Sequence, residues 1–397
     1  MIKKNPCEIF QCTEKDFQSF EEVDVFNDNK VLKGYICHKD GQFYGSMIIA
    51  HINGIQTIEG GIVVYGTPKQ KYPFDRNGIW HFPPVEKINI YEKYDGTNVV
   101  SYRYIYRGQN YVSYKLRLTP VIHNSRWGNF LDMWKKMMIK YPIIRLATRR
   151  FDMSFELYGR QNKHLIEYDI DLDVALLFAI DKKGDIIDLE DLLPEIEYCV
   201  PLRIPWTKKE AEIRGKTDLV SYYKRLQGQK EAMMVKLPDG TLKGSEGSVW
   251  YLHTVDGNVI QYKMKPESVE AIHWKEGIGK NVILTTVMNC YESINAVDFE
   301  SVKILLLEEF LEKDIDQKKD LILECIKEVE EQIIFKEEVL SFYNKEGLDV
   351  VKDKRETMKI LSQKFPKDLM RNVYTIVAKE GSEKNERTIM AGVFLWD

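Results

Sequence analysis

Lys93 is the residue whose surroundings could do covalent chemistry. It lies in Tyr91-Glu92-Lys93-Tyr94-Asp95-Gly96-Thr97-Asn98, between an alternating apolar run through Ile88 and Ile90 and a second run, Val99, Val100, Tyr102 and Tyr104. Both runs read as strands, and Asp95-Gly96 reads as a tight connection between two antiparallel strands. Lys93 then ends the first strand, with Asp95 and Asn98 close by. A lysine attacks phosphorus only as the neutral amine, which near pH 7 requires burial or cationic neighbours. Further on, Lys115 and Arg117 alternate onto one strand face, where they would bind phosphate and lower the pKa of a nearby lysine. A solvated strand face fits the same spacing. Glu156, set among apolar neighbours in Ser154-Phe155-Glu156-Leu157-Tyr158-Gly159, needs a partner if buried: a metal, a ribose hydroxyl or a lysine. Glu246-Gly247 combines a possible cation ligand with a glycine that lets backbone approach closely. Lys263 and Lys265 share a strand face in Val259-Ile260-Gln261-Tyr262-Lys263-Met264-Lys265.

Each of these patterns is short, but together they occur in a recognisable order. Lys93-Tyr94-Asp95-Gly96 resembles motif I of the covalent nucleotidyltransferases: DNA ligases, RNA ligases and mRNA capping enzymes. Arg117 matches the arginine of motif Ia. The stretch around Glu156 resembles motif III, and Val174 to Asp181 resembles motif IIIa, whose aromatic residue stacks on adenine, with Phe178 as the candidate and core packing as the bland alternative. Glu246-Gly247-Ser248-Val249 resembles motif IV, and Lys263-Met264-Lys265 resembles motif V. The tail after motif V and the module before motif I are most similar to the homodimeric archaeal-type RNA ligases. Thr97 departs from that group, where a bulkier residue often precedes the asparagine.

The resemblance implies an ATP-dependent RNA ligase. Lys93 would be the nucleophile that forms lysyl-AMP. Arg117, Lys263 and Lys265 would contact phosphate, the motif V lysines by neutralising charge in the transition state. Glu156 and Glu246 would hold a metal, Mg2+ or Mn2+, or ribose. Glu92 and Phe178 would line the adenine, Asp95 and Gly96 would shape the turn, and Asn98 would meet ribose or a metal-bound water. The partners would be RNA ends, a 5′-phosphate and a 3′-hydroxyl, and a second copy of the chain. A DNA ligase, a capping-type nucleotidyltransferase and a non-catalytic RNA-binding relative are the alternatives. The first two usually carry a β-rich OB domain after motif V, which is not legible here.

Composition fits this reading. The chain has 397 residues, 44% hydrophobic and 12% aromatic, enough for two or three domains with proper cores. The formal net charge is −4, so nucleic-acid contact must come from a local patch. The most basic stretch is Lys135, Lys136, Lys140, Arg145, Arg149 and Arg150, which fits RNA phosphates or a solvated helix face. The 6 cysteines are scattered with no Cys-x-x-Cys, which fits reduced thiols in a cytoplasmic protein rather than a zinc site. No apolar run reaches the ~18 residues of a membrane span, and no signal-like apolar run follows the N-terminal Met1-Ile2-Lys3-Lys4.

The elements that must position these residues read as an α+β chain: an antiparallel-sheet nucleotidyltransferase core, ATP-grasp-like, with a small β-rich N-terminal module and a mainly helical C-terminal region. The expected division is 1–75 for the β-rich module, 76–270 for the adenylation domain, 271–345 for a helical dimerisation domain and 346–397 for a C-terminal domain. Helices are expected over Phe130–Arg150, Ile187–Tyr198, Lys208–Gln227, Val282–Tyr291, Ala296–Glu312, Gln317–Glu346 and Arg355–Arg371, from apolar spacing of three and four. Gly347 is expected to cap the longest. Val373–Val377 and Ile389–Leu395 read as strands.

Overall fold

The computed structural model describes residues 6–380, apart from 40, 58–60, 76–77, 125–128, 163, 193, 195–204, 216, 238–240, 271–277, 294–296, 307–309, 311–314 and 351. The chain is α+β with antiparallel sheets, and it divides into two compact units, 1–123 with 130–276, and 124–129 with 277–397. The expected module 1–75 lies within the first unit.

In the first unit, a short helix α1 (Pro6–Ile9) precedes β1 (Phe17–Asp24), β2 (Lys30–Cys37), β3 (Met47–Ile52), β4 (Ile55–Gln56) and β5 (Ile62–Val64). Among the described residues these strands make one antiparallel sheet, β1-β2-β3-β4 with β5 on β3. A second sheet has the order β11-β10-β9-β7-β8, from β7 (Thr97–Tyr106), β8 (Gln109–Leu116), β9 (Asp152–Tyr158), β10 (Asp173–Ile180) and β11 (Ile186–Ile187). A third has the order β12-β6-β15-β16, from β6 (Val85–Lys93), β12 (Lys209–Arg214), β15 (Gly247–Thr254) and β16 (Val259–Met264). The small pair β13 (Val235–Lys236) and β14 (Leu242–Lys243) stands apart.

The second sheet is covered on both faces. On one lie α2 (Phe130–Lys140) and α3 (Ile143–Thr148), separated at Pro142, with Trp134 against Tyr114 and Phe155. On the other, Tyr102 and Tyr104 pack into the core of the N-terminal sheet. Further along the same face, Phe178 meets Tyr251 of the third sheet. The third sheet buries Ile88, Ile90, Trp250 and Leu252 beneath α4 (Leu219–Glu231), where Asp218 caps the helix by accepting from the amides of Val220 and Ser221.

The second unit is helical among its described residues: α5 (Lys280–Ser293), α6 (Phe299–Leu306), α7 (Lys319–Lys345), α8 (Lys354–Lys364) and α9 (Met370–Glu380). Ile322, Cys325, Ile326 and Val329 supply the buried stripe of α7, and Gly347 takes φ +62° just beyond its end, as the expected cap requires.

Several expectations are corrected. Lys208–Gln227 is not one helix. Lys209–Arg214 alternates, turning Ala211 and Ile213 inward, and pairs with β6 as a strand. Ile186–Ile187 is a strand end, and of the expected helix over Ile187–Tyr198 only the first turn falls on described residues. Val373–Val377 is helical despite its β-branched residues, because Val373, Ile376 and Val377 bury one face at three- and four-residue spacing. Arg355–Arg371 breaks before Pro366. Of Ala296–Glu312, α6 forms the expected helix over Phe299–Leu306, while 296, 307–309 and 311–312 lie outside the described residues. Ile389–Leu395 lies outside the described residues.

Candidate active site

The expected hairpin at Asp95-Gly96 does not form. β6 and β7 belong to different sheets, so Tyr94–Gly96 carries the chain from one sheet to the other. Gly96 is required by close approach: a Cβ there would stand 2.2 Å from the Leu157 carbonyl oxygen. Asp95 anchors the crossing. Its Oδ2 accepts from the amides of Leu165 (2.6 Å) and Ile166 (2.7 Å), and its own amide donates to Tyr168 Oη (2.7 Å). Burial, then the charge of Glu246, raises the Asp95 pKa.

At the end of β6, Lys93 pairs with Gly247 of β15. Its Nζ donates to Glu246 Oε1 (2.7 Å) and Oε2 (2.6 Å). Lys265 Nζ stands 3.2 Å from Glu246 Oε1, so one carboxylate faces two ammonium groups. Glu246 is 4% exposed. Burial opposes its ionisation, but Lys93 and Lys265 outweigh that and hold its pKa at about 2. Gly247 (φ +146°) makes this possible, since a Cβ would sit 1.9 Å from the Met264 carbonyl oxygen and push the Lys265 segment away.

Glu156 on β9 is the direct cross-strand partner of Asn98 on β7 and feels both Lys93 and Glu246. Burial raises its pKa to about 8. Glu246 and Asp95 add to the rise, and Lys93 and Arg117 oppose it. Among the described residues its carboxylate accepts no hydrogen bond, and no group of three or more metal-ligating side chains is found. Glu156 is thus the carboxylate with open coordination, whereas Glu246 is occupied by lysines. A divalent cation there would restore the charge that burial suppresses.

The structure brings Lys93, Asp95, Gly96, Glu156, Glu246 and Lys265 together, with Asn98 and Arg117 beside them. Asn98 donates from Nδ2 to Ser154 Oγ (2.9 Å) and the Phe155 carbonyl (3.1 Å), and accepts from Thr67 Oγ1 (2.7 Å). Arg117 follows the end of β8, its guanidinium carbon 5.9 Å from the Tyr44 ring centroid.

Other candidates are placed differently. Phe178 is fully buried, packed on Tyr251, so in this structure it offers no ring face to a nucleobase. The Glu92 side chain points to the opposite face of β6 from Lys93, into the electrostatic reach of Lys230, Glu210 and Lys208. Lys263 Nζ lies 4.8 Å above the Tyr72 ring centroid. Lys135, Lys136, Lys140, Arg145, Arg149 and Arg150 are exposed on α2, α3 and the residues that follow. These helices cover the face of the second sheet opposite Glu156.

Sequence reasoning missed Thr67, which has no motif, and the burial of Lys115. The Lys115 side chain is wholly enclosed and donates to the carbonyls of Leu116 (2.7 Å) and Arg117 (2.9 Å), and burial followed by the Arg117 charge lowers its pKa to about 7.

No protein-family model matches the chain, and no curated protein matches it. The solved structures it resembles include nucleic-acid ligases. An archaeal ATP-dependent RNA ligase aligns at 13% identity and a TM-score of 0.43, covering 78% of this chain and 75% of that one. A putative ATP-dependent DNA ligase from Aquifex aeolicus aligns at 12% identity and 0.40, covering 89% and 86%. The RNA ligase of Naegleria gruberi with PPi aligns at 14% identity and 0.34, covering 49% and 53%. These are weak likenesses, and the functional reading rests on the site's own geometry. Among the described residues no helix is long and apolar enough to cross a membrane.

Proposed function

We propose that the chain is an ATP-dependent RNA ligase that joins 5′-phosphate and 3′-hydroxyl RNA ends. The observation that carries this reading is Lys93 held on both oxygens of buried Glu246, with Lys265 on the same carboxylate and Glu156 and Arg117 nearby. At rest Lys93 is an ammonium paired with Glu246; once deprotonated, beside Lys265 and Arg117 and next to an open carboxylate, it suits phosphoryl transfer, which asks mainly for positioning and charge.

The Lys93 ammonium gives its proton to solvent, and its nitrogen then attacks the α-phosphorus of ATP. The bond to the bridging oxygen breaks, pyrophosphate leaves, and a lysyl-AMP phosphoramidate forms. An oxygen of the RNA 5′-phosphate then attacks that phosphorus and releases the lysine. Finally the 3′-hydroxyl oxygen attacks the 5′-phosphate, AMP leaves, and the strand is sealed. Lys265 and Arg117 carry the positive charge that faces the phosphates. A carboxylate held at about pKa 2 is a poor base, so Glu246 serves to seat the lysines. A magnesium or manganese ion would be held through Glu156 and would supply charge neutralisation on the phosphates.

Incubation with ATP or GTP labelled on the α-phosphate tests this. Acid-labile label from ATP that survives denaturing electrophoresis, and that is absent in Lys93→Ala, is expected. Label from GTP alone would move the reading to capping chemistry. Retained labelling in Lys93→Ala would remove Lys93 from its role. The described residues of the second unit are helical where DNA ligases and capping enzymes carry a β-rich OB domain, which supports the RNA branch. We assign a homodimer to the segment 271–345, which is mainly helical over its described residues; a monomeric mass by light scattering at micromolar concentration overturns that assignment.

A further inference from the structure

The N-terminal sheet has no motif, yet it reaches the site at two points. The first is Arg117. Lys115 donates to the Arg117 carbonyl (2.9 Å), and Gly45 presses on the same oxygen from the module: a Cβ on Gly45 would stand 2.2 Å from it. Gly45 also has φ +74°, so both its backbone and its lack of a side chain are used to seat Arg117.

The second point is Thr67, just beyond β5 and 2% exposed. It closes a ring of hydrogen bonds with Asn98 and Ser154. The Phe155 carbonyl accepts from Asn98 Nδ2 (3.1 Å), which fixes which end of the amide is which. Asn98 Nδ2 also donates to Ser154 Oγ (2.9 Å). Thr67 Oγ1 donates to Asn98 Oδ1 (2.7 Å), so at the Thr67–Ser154 contact (2.9 Å) Ser154 is the donor. Both Asn98 amide hydrogens are therefore spent inside the protein. What remains is one acceptor position on Oδ1, on the residue paired with Glu156 across the sheet. That position can receive only a donor, such as a ribose hydroxyl or a water on a cation.

We propose that the N-terminal module is a working part of the nucleotide pocket, positioning Arg117 through Gly45 and the Asn98 amide through Thr67. This rests on the ligase reading above. Thr67 and Gly45 are positioning residues, because they act through groups that meet the nucleotide.

The test compares wild type with Thr67→Val, Thr67→Ser and Gly45→Ala in the full chain, measuring the rate and the ATP KM of protein-bound adenylate formation alongside the melting temperature. Thr67→Val keeps the shape and removes the hydroxyl. Its adenylation efficiency should fall about five- to tenfold, the effect of one net hydrogen bond. Thr67→Ser, which restores the hydroxyl, should stay within about twofold of wild type on the same reasoning. Gly45→Ala should fall further, since backbone and carbonyl must both shift. Folded Thr67→Val with unchanged rate and KM overturns the proposal, whatever Gly45→Ala does, and leaves the ligase reading standing. A Thr67→Ser variant as impaired as Thr67→Val also overturns it, since the hydroxyl would then not be what matters. Wild type that forms no adenylate overturns both.

Discussion

Replacing Glu156 by glutamine should make the protein more stable and inactive. Glu156 is held near pKa 8 in the fold, by burial first and by Glu246 and Asp95 after it. In the unfolded chain it titrates near 4.3. A carboxyl raised in this way favours folding only while protonated. Its contribution is intact below about pH 4.3 and is lost as pH climbs toward 8, because over that window the native state holds the proton that the unfolded state has released. At about 1.4 kcal/mol per decade the full cost reaches about 5 kcal/mol. Because the carboxyl is only half-buried, about 2–3 kcal/mol is the expected size. Glutamine keeps the shape and never ionises. Urea unfolding of nucleotide-stripped wild type and Glu156→Gln, at pH 5 and pH 8, reads the difference between the two proteins, so that other titrating groups cancel. The variant should match wild type near pH 5 and exceed it at pH 8, with adenylate formation abolished. A difference that does not change with pH, or a variant less stable at pH 8, would refute the reasoning.

Glu246→Gln should act in the opposite sense. Its carboxylate, held at about pKa 2, contributes stability above about pH 4.3 that fades as pH falls toward 2. The variant should lose about 3 kcal/mol at pH 7 by denaturant titration, with the deficit shrinking in acid. Lys115→Met should flatten the alkaline limb. Wild type gains stability from about pH 7 to about pH 10, where the unfolded chain still holds a proton that the buried lysine has lost, and melting curves across that range should show the slope only in wild type. Gly96→Ala forces a Cβ to within 2.2 Å of the Leu157 carbonyl oxygen. It should destabilise by more than about 2 kcal/mol in denaturant titration and impair adenylation at permissive temperature.

The residues gathered at the candidate site were more legible in the sequence than the architecture that gathers them. Lys93, Glu156, Glu246 and Lys265 could be found because each stands in a short local pattern, and the structure brings them together. Asp95-Gly96 misled because its turn signal is the same whether the next strand pairs back or leaves for another sheet. The partners of β6 come from β12 and β15, far along the chain, and no local window contains them. Lys209–Arg214 was lost among charges that mask its alternation. For Phe178, the resemblance to motif IIIa named the aromatic residue but not its depth, and the structure shows the core packing that was the alternative. From alternation Lys115 reads as a phosphate-binding cation or part of a solvated strand face; lysines are seldom enclosed, and only the tertiary packing reveals that this one is. Thr67 has no neighbours in sequence that would single it out.

Lys93 meets the carboxylate of a residue 153 positions further along the chain. During synthesis the lysine therefore emerges long before Glu246 and Lys265, and until β15 docks beside β6 it is an ordinary solvated side chain. Pairing over such a separation closes a long loop and is slow relative to local structure. The order of emergence delays the site: a nascent or truncated chain ending before Glu246 carries Lys93 without the carboxylate that seats it, and the proposed reactivity toward nucleotide requires the completed sheet.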